Sequence, residues 1–480
     1  MRERGWERRF ERFAAETIER SGIPGTAVGL AQDGEIVYER GFGFRDAKRR
    51  LPVTSDTRFG LGSVTKSFPC LAIAQLAEAG TLAFDDPVVK WLPEFRLPGP
   101  DGADQIPKVT IHHFMTHSSG IPPEPALLHA RAASIVADPD LDRMHPNPMG
   151  ISLQIREWEQ IATYEQLMAL MASQDFRVLG PPGAVLSYSN EGFVLLAAIV
   201  ERASGLSFAA YLQQHVLDPI GMARTGLYTR ETPPLEPEVV PFAIDTRSGT
   251  REVFASPAWW DQGSMFGNGG LKSTVNDLVR YLEVYRTGGT AYGTRVLSAA
   301  GVAAMTTPHQ PIPLGNHYGY GLRILDVDGI GRVVGHSGGN KGVSTQVWVV
   351  PERGLSAIVL TNLANAPAGG IAQGVLNAAL GRAPETPWAV YPEHAVDRRT
   401  LWRYVGTYQG QPGTTIRVAE RDGALYVASG DEPLQRTRPY ADDAFVIEAT
   451  GDPIRFLTRE DGTAWALCQG LRTYPAAGLR

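Results

Sequence analysis

From residue 26 the chain alternates apolar and polar positions with a period of two, Thr26 to Gln32 and then Glu35 to Phe42, with Asp33-Gly34 between the runs. That pattern predicts a β-hairpin on a tight turn. Ahead of it, Arg2, Arg4, Arg8, Arg9 and Arg12 interleave with Glu3, Glu7 and Glu11, which reads as a solvated amphipathic helix rather than a polybasic anchor. After the hairpin, an apolar helix leaves the turn Phe59-Gly60-Leu61-Gly62 and ends at Gly80, a residue suited to closing a helix. Pro69 lies inside it and has no N–H for the Thr65 carbonyl, so a local kink is expected one turn past Lys66. From about 81 to 285 the pattern reads mainly as helices and loops, with Thr163 to Ser173, Glu191 to Ala203 and Thr274 to Arg286 as helices. Residues 123 to 160 show no period and are expected to form a lid or substrate wall.

The period then returns to strands: Tyr320 to Val327, Gly331 to Gly335, Ser344 to Val350 and Leu355 to Thr361. Strands at both ends with helices between predict one antiparallel sheet whose first and last strands come from distant segments. The fold class expected is therefore α/β (α+β): an antiparallel sheet flanked by helices, with a helical subdomain and a small C-terminal all-β domain. Residues 1–385 form the catalytic unit, with the helical subdomain at about 81–285. A linker follows at 386–400, and residues 401–480 form a barrel-like domain with hairpin turns at Asp422-Gly423 and Asp461-Gly462.

Composition narrows the function. The 480 residues are 43% hydrophobic and 20% charged with a formal charge of -6, which gives no electrostatic footprint for nucleic acid. No apolar run reaches 18 residues and no apolar segment follows the N-terminus, so neither a membrane span nor a secretory leader is expected, and the chain is expected in the cytoplasm. Cys70 and Cys468 lie too far apart in sequence to suggest a disulfide framework, and Cys70 is read as core. His112-His113 are adjacent and no His-Glu-x-x-His occurs, so no metal and no cofactor is expected.

The chemistry enters at Ser63-Val64-Thr65-Lys66. Only six lysines occur, at 48, 66, 90, 108, 272 and 341, and only Lys66 has a serine three residues before it. On a helix those positions share a face, and a lysine whose pKa is lowered by burial or by nearby positive charge is able to take the serine proton. The free N–H groups of the first turn favour a developing oxyanion. A second element, Tyr188-Ser189-Asn190, follows the turn Gly180-Pro181-Pro182-Gly183; Tyr188 would relay protons, and Asn190 would accept from Lys66 and donate to a substrate carbonyl. A third, Gly335-His336-Ser337-Gly338-Gly339, lies among the strands. His336 is a candidate for proton transfer or for holding a carboxylate, and the Gly339 N–H a candidate second oxyanion donor beside that of Ser63. Ser337, Gly338 and Gly339 are assigned to substrate binding.

Together these elements resemble the serine beta-lactamase and penicillin-binding-protein superfamily, most closely its class C-like branch of esterases, D-aminopeptidases and related peptidases. Thr116-His117-Ser118-Ser119-Gly120-Ile121-Pro122 and Gly269-Gly270-Leu271-Lys272-Ser273-Thr274 extend the resemblance over roughly residues 10 to 380. The resemblance implies acylation of Ser63, base work shared by Lys66 and Tyr188, and a site lined by Asn190 and His336. Having His336 where lactamases of this type carry lysine argues against efficient lactam hydrolysis. The expected activity is cofactor-free hydrolysis of a small ester, amide or short peptide, with homo-oligomerisation left open. Three alternatives stand beside it: a true beta-lactamase or D,D-peptidase, an inactive ligand-binding or sensor protein, and an α/β-hydrolase using Ser337 within Gly-x-Ser-x-Gly. The last requires a helix after the serine, whereas Gly342 to Val350 reads as a strand. Trp259-Trp260 is either a substrate wall or core, and residues 123 to 160 and 255 to 268 are expected to set substrate choice.

Overall fold

The computed structural model describes residues 5–97, 108–122, 126–145, 153–173, 178–228, 235–263, 265–410, 415–430 and 432–478. Arg2, Glu3 and Arg4 of the expected first helix, and residues 123–125, 146–152 and 264 of the two segments assigned to substrate choice, lie outside the described residues.

The first hairpin is β1 (Gly25–Gln32) and β2 (Glu35–Gly43), joined by Asp33 and Gly34, both at positive φ, as a two-residue turn matching strand twist requires. Six later strands complete the sheet: β3 (Gln310–Ile312), β4 (Asn316–Tyr318), β5 (Arg323–Val327), β6 (Gly331–Asn340), β7 (Val343–Val350) and β8 (Leu355–Thr361). The order is β3-β4-β5-β6-β7-β8-β1-β2, and every pairing is antiparallel. The first strand of the sheet and its last in chain order thus pair inside it, with Thr26 opposite Thr361 and Gln32 opposite Leu355. The sequence expectation of a sheet built from distant segments holds.

Six helices bear on the sheet and the site: α1 (Gly5–Ser21), α2 (Ser67–Glu78), α3 (Ala126–Val136), α4 (Asn190–Ser204), α5 (Val275–Thr287) and α6 (Ala368–Ala379). Alternate residues of a strand face opposite sides. Accordingly Val28, Leu30, Ala357 and Val359 pack with Phe10 and Ala14 of α1 and with Ala372 and Val375 of α6. Ala27, Ala31, Ile358 and Leu360 pack on the other side, in the core that holds α2, α4 and α5. Both faces of the sheet are covered, so β1, β7 and β8 are buried along nearly their whole length. A side chain at Gly29 would overlap Val275, and its absence lets α5 lie against the sheet.

One local expectation is corrected. Pro69 does not kink a helix, because Ser63 to Lys66 belong to a 3-10 turn (Gly62–Lys66) and α2 begins only at Ser67. Pro69 therefore occupies the first α-helical turn, where no intrahelical acceptor exists for its missing N–H. The stretch 81–285, read as mainly helices and loops, also contains a hairpin, Phe242–Asp245 with Glu252–Ala255, and a short strand, Leu271–Ser273, paired to Phe59–Gly60. The irregular segment also includes α3, a regular 11-residue helix. Among the described residues no single helix is long and apolar enough to cross a membrane.

Beyond the sheet, eight strands run in sequence order: β9 (Gly406–Gln409), β10 (Thr415–Arg421), β11 (Ala424–Ser429), β12 (Gln435–Ala441), β13 (Ala444–Ile447), β14 (Pro453–Thr458), β15 (Ala464–Gln469) and β16 (Arg472–Pro475). A bridge between Tyr408 and Ala476 brings the last strand back to the first, so the sheet is nearly a closed barrel. Its interior is filled by its own rings, with Tyr404 stacked on Phe456 at 4.3 Å and Phe445 edge-on to Phe456.

Candidate active site

Ser63 and Lys66 project from the 3-10 turn Gly62–Lys66, where residues three apart eclipse one another. Lys66 Nζ lies 3.1 Å from Ser63 Oγ. It donates to Asn190 Oδ1 at 2.8 Å and to the Asn268 carbonyl at 2.9 Å. The lysine is fully buried. Burial, reinforced by the positive charges of Arg131 and Arg472, pushes its pKa well below the ordinary lysine value.

Asn190 opens α4, whose N-cap is Ser189, the Ser189 hydroxyl accepting from Gly192 N–H. Tyr188 directly precedes the cap and its phenol lies beside Ser63; burial raises its pKa, so the phenol stays protonated. Lys66 Nζ sits 4.6 Å from the centre of the Tyr188 ring, and His117 packs on that ring at 4.1 Å. His117 explains why the Thr116–Pro122 segment is part of the site. Its carbonyl accepts from Ser187 N–H at 2.8 Å and its Nδ1 from Ser189 N–H at 3.1 Å, which fixes the backbone on both sides of Tyr188.

The third element is a continuous strand, β6, and not the strand-turn-helix that a nucleophile elbow needs. Its close approach to the nucleophile turn depends on glycine. A Cβ at Gly338 would overlap the Leu61 carbonyl and Thr345 Oγ1, and one at Gly62 (φ +51°) would sit 2.6 Å from Gly339 N. Gly339 therefore lines the cavity with Gly62 and Ser63, whereas Ser337 and Gly338 are not among its lining residues.

His336 does not take the place expected of it. It is buried, its Nδ1–H donates to the Ser337 carbonyl at 2.5 Å, and its Nε2 meets the Tyr318 hydroxyl at 2.9 Å. Burial and the nearby Lys66 push its pKa down to about 3, so at neutral pH it is an uncharged strut, its ring 6.3 Å from that of Tyr188, with no cation to offer a carboxylate. Trp260 is core, donating to Asp138 at 2.8 Å, and Trp259 covers Lys272 at 3.9 Å. Cys70 is buried on α2.

Two arginines that no local motif announces complete the cavity of about 360 Å³ over Ser63. Arg131 comes from α3 and donates to Gln262 at 2.8 Å and to Asn340 at 3.4 Å. Arg472 comes from the start of β16 in the barrel. On either side of it, the Leu471 carbonyl accepts from Tyr188 N–H at 2.9 Å and the Thr473 hydroxyl donates to the Leu186 carbonyl at 2.8 Å. The only sequence signal was the strand-like pattern of the C-terminal domain, which says nothing of where the barrel docks.

A buried lysine and a capped tyrosine converging on one serine over a cavity define a serine hydrolase. The beta-lactamase family matches residues 10–381, and the chain belongs to that family. Penicillin-binding protein 4* of Bacillus subtilis (strain 168) is 27% identical over 467 residues, 93% of this chain and 93% of that protein. Esterase EstB of Burkholderia gladioli is 30% identical over 380 residues, 74% of this chain and 90% of the esterase. The structure of an octameric penicillin-binding protein homologue from Pyrococcus abyssi superposes with a TM-score of 0.68 at 27% identity, covering 97% of this chain and 98% of that one.

Proposed function

We propose that the protein cleaves ester or amide bonds of small substrates through an acyl-enzyme on Ser63, with Lys66 as the general base. The observation that carries this is how the amine is held. A neutral amine has two N–H donors and one lone pair. Two of the Lys66 contacts, the Asn190 amide oxygen at 2.8 Å and the Asn268 carbonyl at 2.9 Å, are pure acceptors, so both donors are used and the lone pair is left for the Ser63 hydroxyl. Burial acts on both titratable partners in one sense: it favours neutral Lys66 and neutral Tyr188. The uncharged pair supports the lysine as the base and the phenol as the acid.

Ser63 Oγ then attacks the carbonyl as its proton passes to Lys66. The oxyanion is received by the N–H groups of Ser63 and Gly339. Tyr188, beside Ser63, protonates the departing alcohol or amine and recovers the proton from Lys66. Water later enters by the reverse relay and releases the acid. The kinship with an esterase of 30% identity supports ester cleavage, and the absence of a charge on His336 favours esters and amides over lactams.

Intact-protein mass after treatment with a serine-directed fluorophosphonate tests the assignment. The native chain and Ser337→Ala should each gain one adduct and Ser63→Ala none. An adduct lost only in Ser337→Ala would restore the elbow, and no adduct on the native chain would restore the inactive binder.

A further inference from the structure

We propose that the buried ion pair between Asp138 and Lys341 is a latch that ties the wall of the Ser63 cavity to the strand bearing the Gly339 N–H, so that both side chains act as positioning residues for the oxyanion site. This rests on the hydrolase reading and adds to it what holds the second oxyanion donor in place.

The strand needs such a support. Among the described residues β6 is paired with β5 only as far as Gly335, and from His336 to Asn340 its pairing is with β7 alone. Its other edge faces the nucleophile turn, where Gly62 comes close to Gly339 N. That edge has to stay open for the substrate oxygen, so the position of Gly339 is set from β7 and from the hairpin tip, residues 340–342, that directly follows it. The tip is buried, and Lys341 is at its centre.

Lys341 reaches from the tip to the wall. Its amine donates to Asp138 Oδ2 and, at 2.6 Å, to the Ala258 carbonyl. Asp138 Oδ2 also accepts from the Trp260 indole N–H at 2.8 Å, and Oδ1 from Asp140 N–H at 3.0 Å. The two charged side chains, Lys341 and Asp138, are 1% and 0% exposed. Asp138 follows α3, whereas Ala258 and Trp260 belong to the second segment of the wall. The two segments share a small core that includes Ile135, Leu141, Phe254 and Trp260, apart from the cores on the sheet faces. A wall with a core of its own is a body that has to be registered on the sheet. A second tie lies on the cavity side, where Asn340 Oδ1 accepts from Arg131 of α3 at 3.4 Å and from Lys341 N–H at 2.9 Å. Asp138 and Lys341 are not among the residues lining the cavity, so their effect on the reaction passes through Gly339.

Stability does not require these charges, because apolar side chains of similar volume in place of a buried ion pair are often neutral or stabilising. What apolar packing lacks is direction. The ammonium has to point at one carboxylate oxygen and one carbonyl, which leaves the tip a single seat.

The test removes both charges at once, in Asp138→Leu/Lys341→Met, and reads the oxyanion site directly. p-Nitrophenyl acetate is compared with its thiono analogue, in which sulfur replaces the carbonyl oxygen. Sulfur is larger and a weaker acceptor, so N–H groups set for an oxyanion favour the oxygen ester. In the double variant that oxygen-over-sulfur ratio of kcat/KM should fall by about ten- to a hundred-fold, part of the worth of one oxyanion donor, while thermal unfolding stays cooperative. Because the ratio is taken within one preparation, misfolded protein cancels. If the double variant does not fold, Asp138→Asn, which keeps the volume, is read in the same way. An unchanged ratio in the variant that folds, whatever its total activity, reduces the pair to a structural one and overturns the inference while leaving the hydrolase intact; so does a native ratio no greater than that of hydroxide in water. Absence of Ser63-dependent turnover in the native protein would instead overturn the hydrolase reading and this inference with it.

Discussion

At the level of single residues, charge and proton inventory matter more than size at position 66. Arginine keeps the positive charge but never surrenders a proton near neutral pH. Lys66→Arg should therefore lower kcat/KM on a neutral ester by about 10²–10⁴-fold, the usual worth of a positioned base, with the fold intact by circular dichroism. The pH profile has the same origin. Lys66 works as a neutral amine and its pKa is lowered, so activity should rise with pH through that pKa and fall away below it as the ammonium forms. Arg131 and Arg472 depress it while Glu191 and Cys70 oppose them; the neighbouring His117 and His336 have lowered pKa values and stay uncharged. Removing one positive neighbour in Arg472→Gln should move the acid limb to higher pH, read on a neutral ester. Ser63, Lys66, Tyr188 and Asn190 were legible because each sits within a few residues of a capping or spacing signal. The state of His336 was not, since it depends on Tyr318 across the sheet and on burial that no pentapeptide encodes.

Among the elements, the decisive contact is between β6 and the nucleophile turn. The Leu61 carbonyl accepts from Thr345 Oγ1 at 2.8 Å and Leu61 N–H bonds the Leu271 carbonyl at 2.8 Å, so the turn is held from two sides and has little room to retreat. Gly338→Ala would drive a methyl group into that carbonyl. Overpacking of this kind costs about 1–3 kcal/mol. Because the displaced strand carries Gly339, the catalytic loss should be larger than the stability loss implies: about 100-fold in kcat for a shift near 1 Å, measured beside a urea melt that still shows one cooperative catalytic unit. Periodicity made β7 and β8 readable almost to the residue, since an apolar run with β-branched side chains has few other uses. It ended β6 at Gly335 because the following Ser-Gly-Gly lacks strand propensity, yet backbone pairing with Gln346, Thr345 and Ser344 carries the strand through to Asn340. Residues 123 to 160 hid α3 for a related reason, as its Ala-rich sequence has no strong apolar face to betray it.

For the whole molecule, the C-terminal barrel acts as a wall of the active site and not as an appended carrier. Its interior is occupied by Tyr404, Tyr408, Phe445 and Phe456, leaving its outer hairpin as the part that meets the catalytic domain. An all-β domain was legible from its strand periods and its Asp-Gly turns, but no local rule says which edge will dock, because that is settled by complementary surfaces far apart in the chain. The seam is testable at Thr473, which is fully buried and whose hydroxyl donates to the Leu186 carbonyl. Thr473→Val keeps the shape and removes the donor. It leaves a buried acceptor unpaired at a cost of about 1–3 kcal/mol, concentrated at the seam and not in either core. Amide hydrogen exchange in a peptide spanning residues 185–190 should then quicken, because the Tyr188 N–H loses its steady partner at Leu471. The kcat/KM on a neutral ester should fall severalfold, since the Tyr188 loop loses its placement while Ser63 and Lys66 keep theirs. Unchanged exchange and unchanged kcat/KM would mean that the hairpin is held by the packing of Leu471, and that the barrel is seated more rigidly than its hydrogen bonds require.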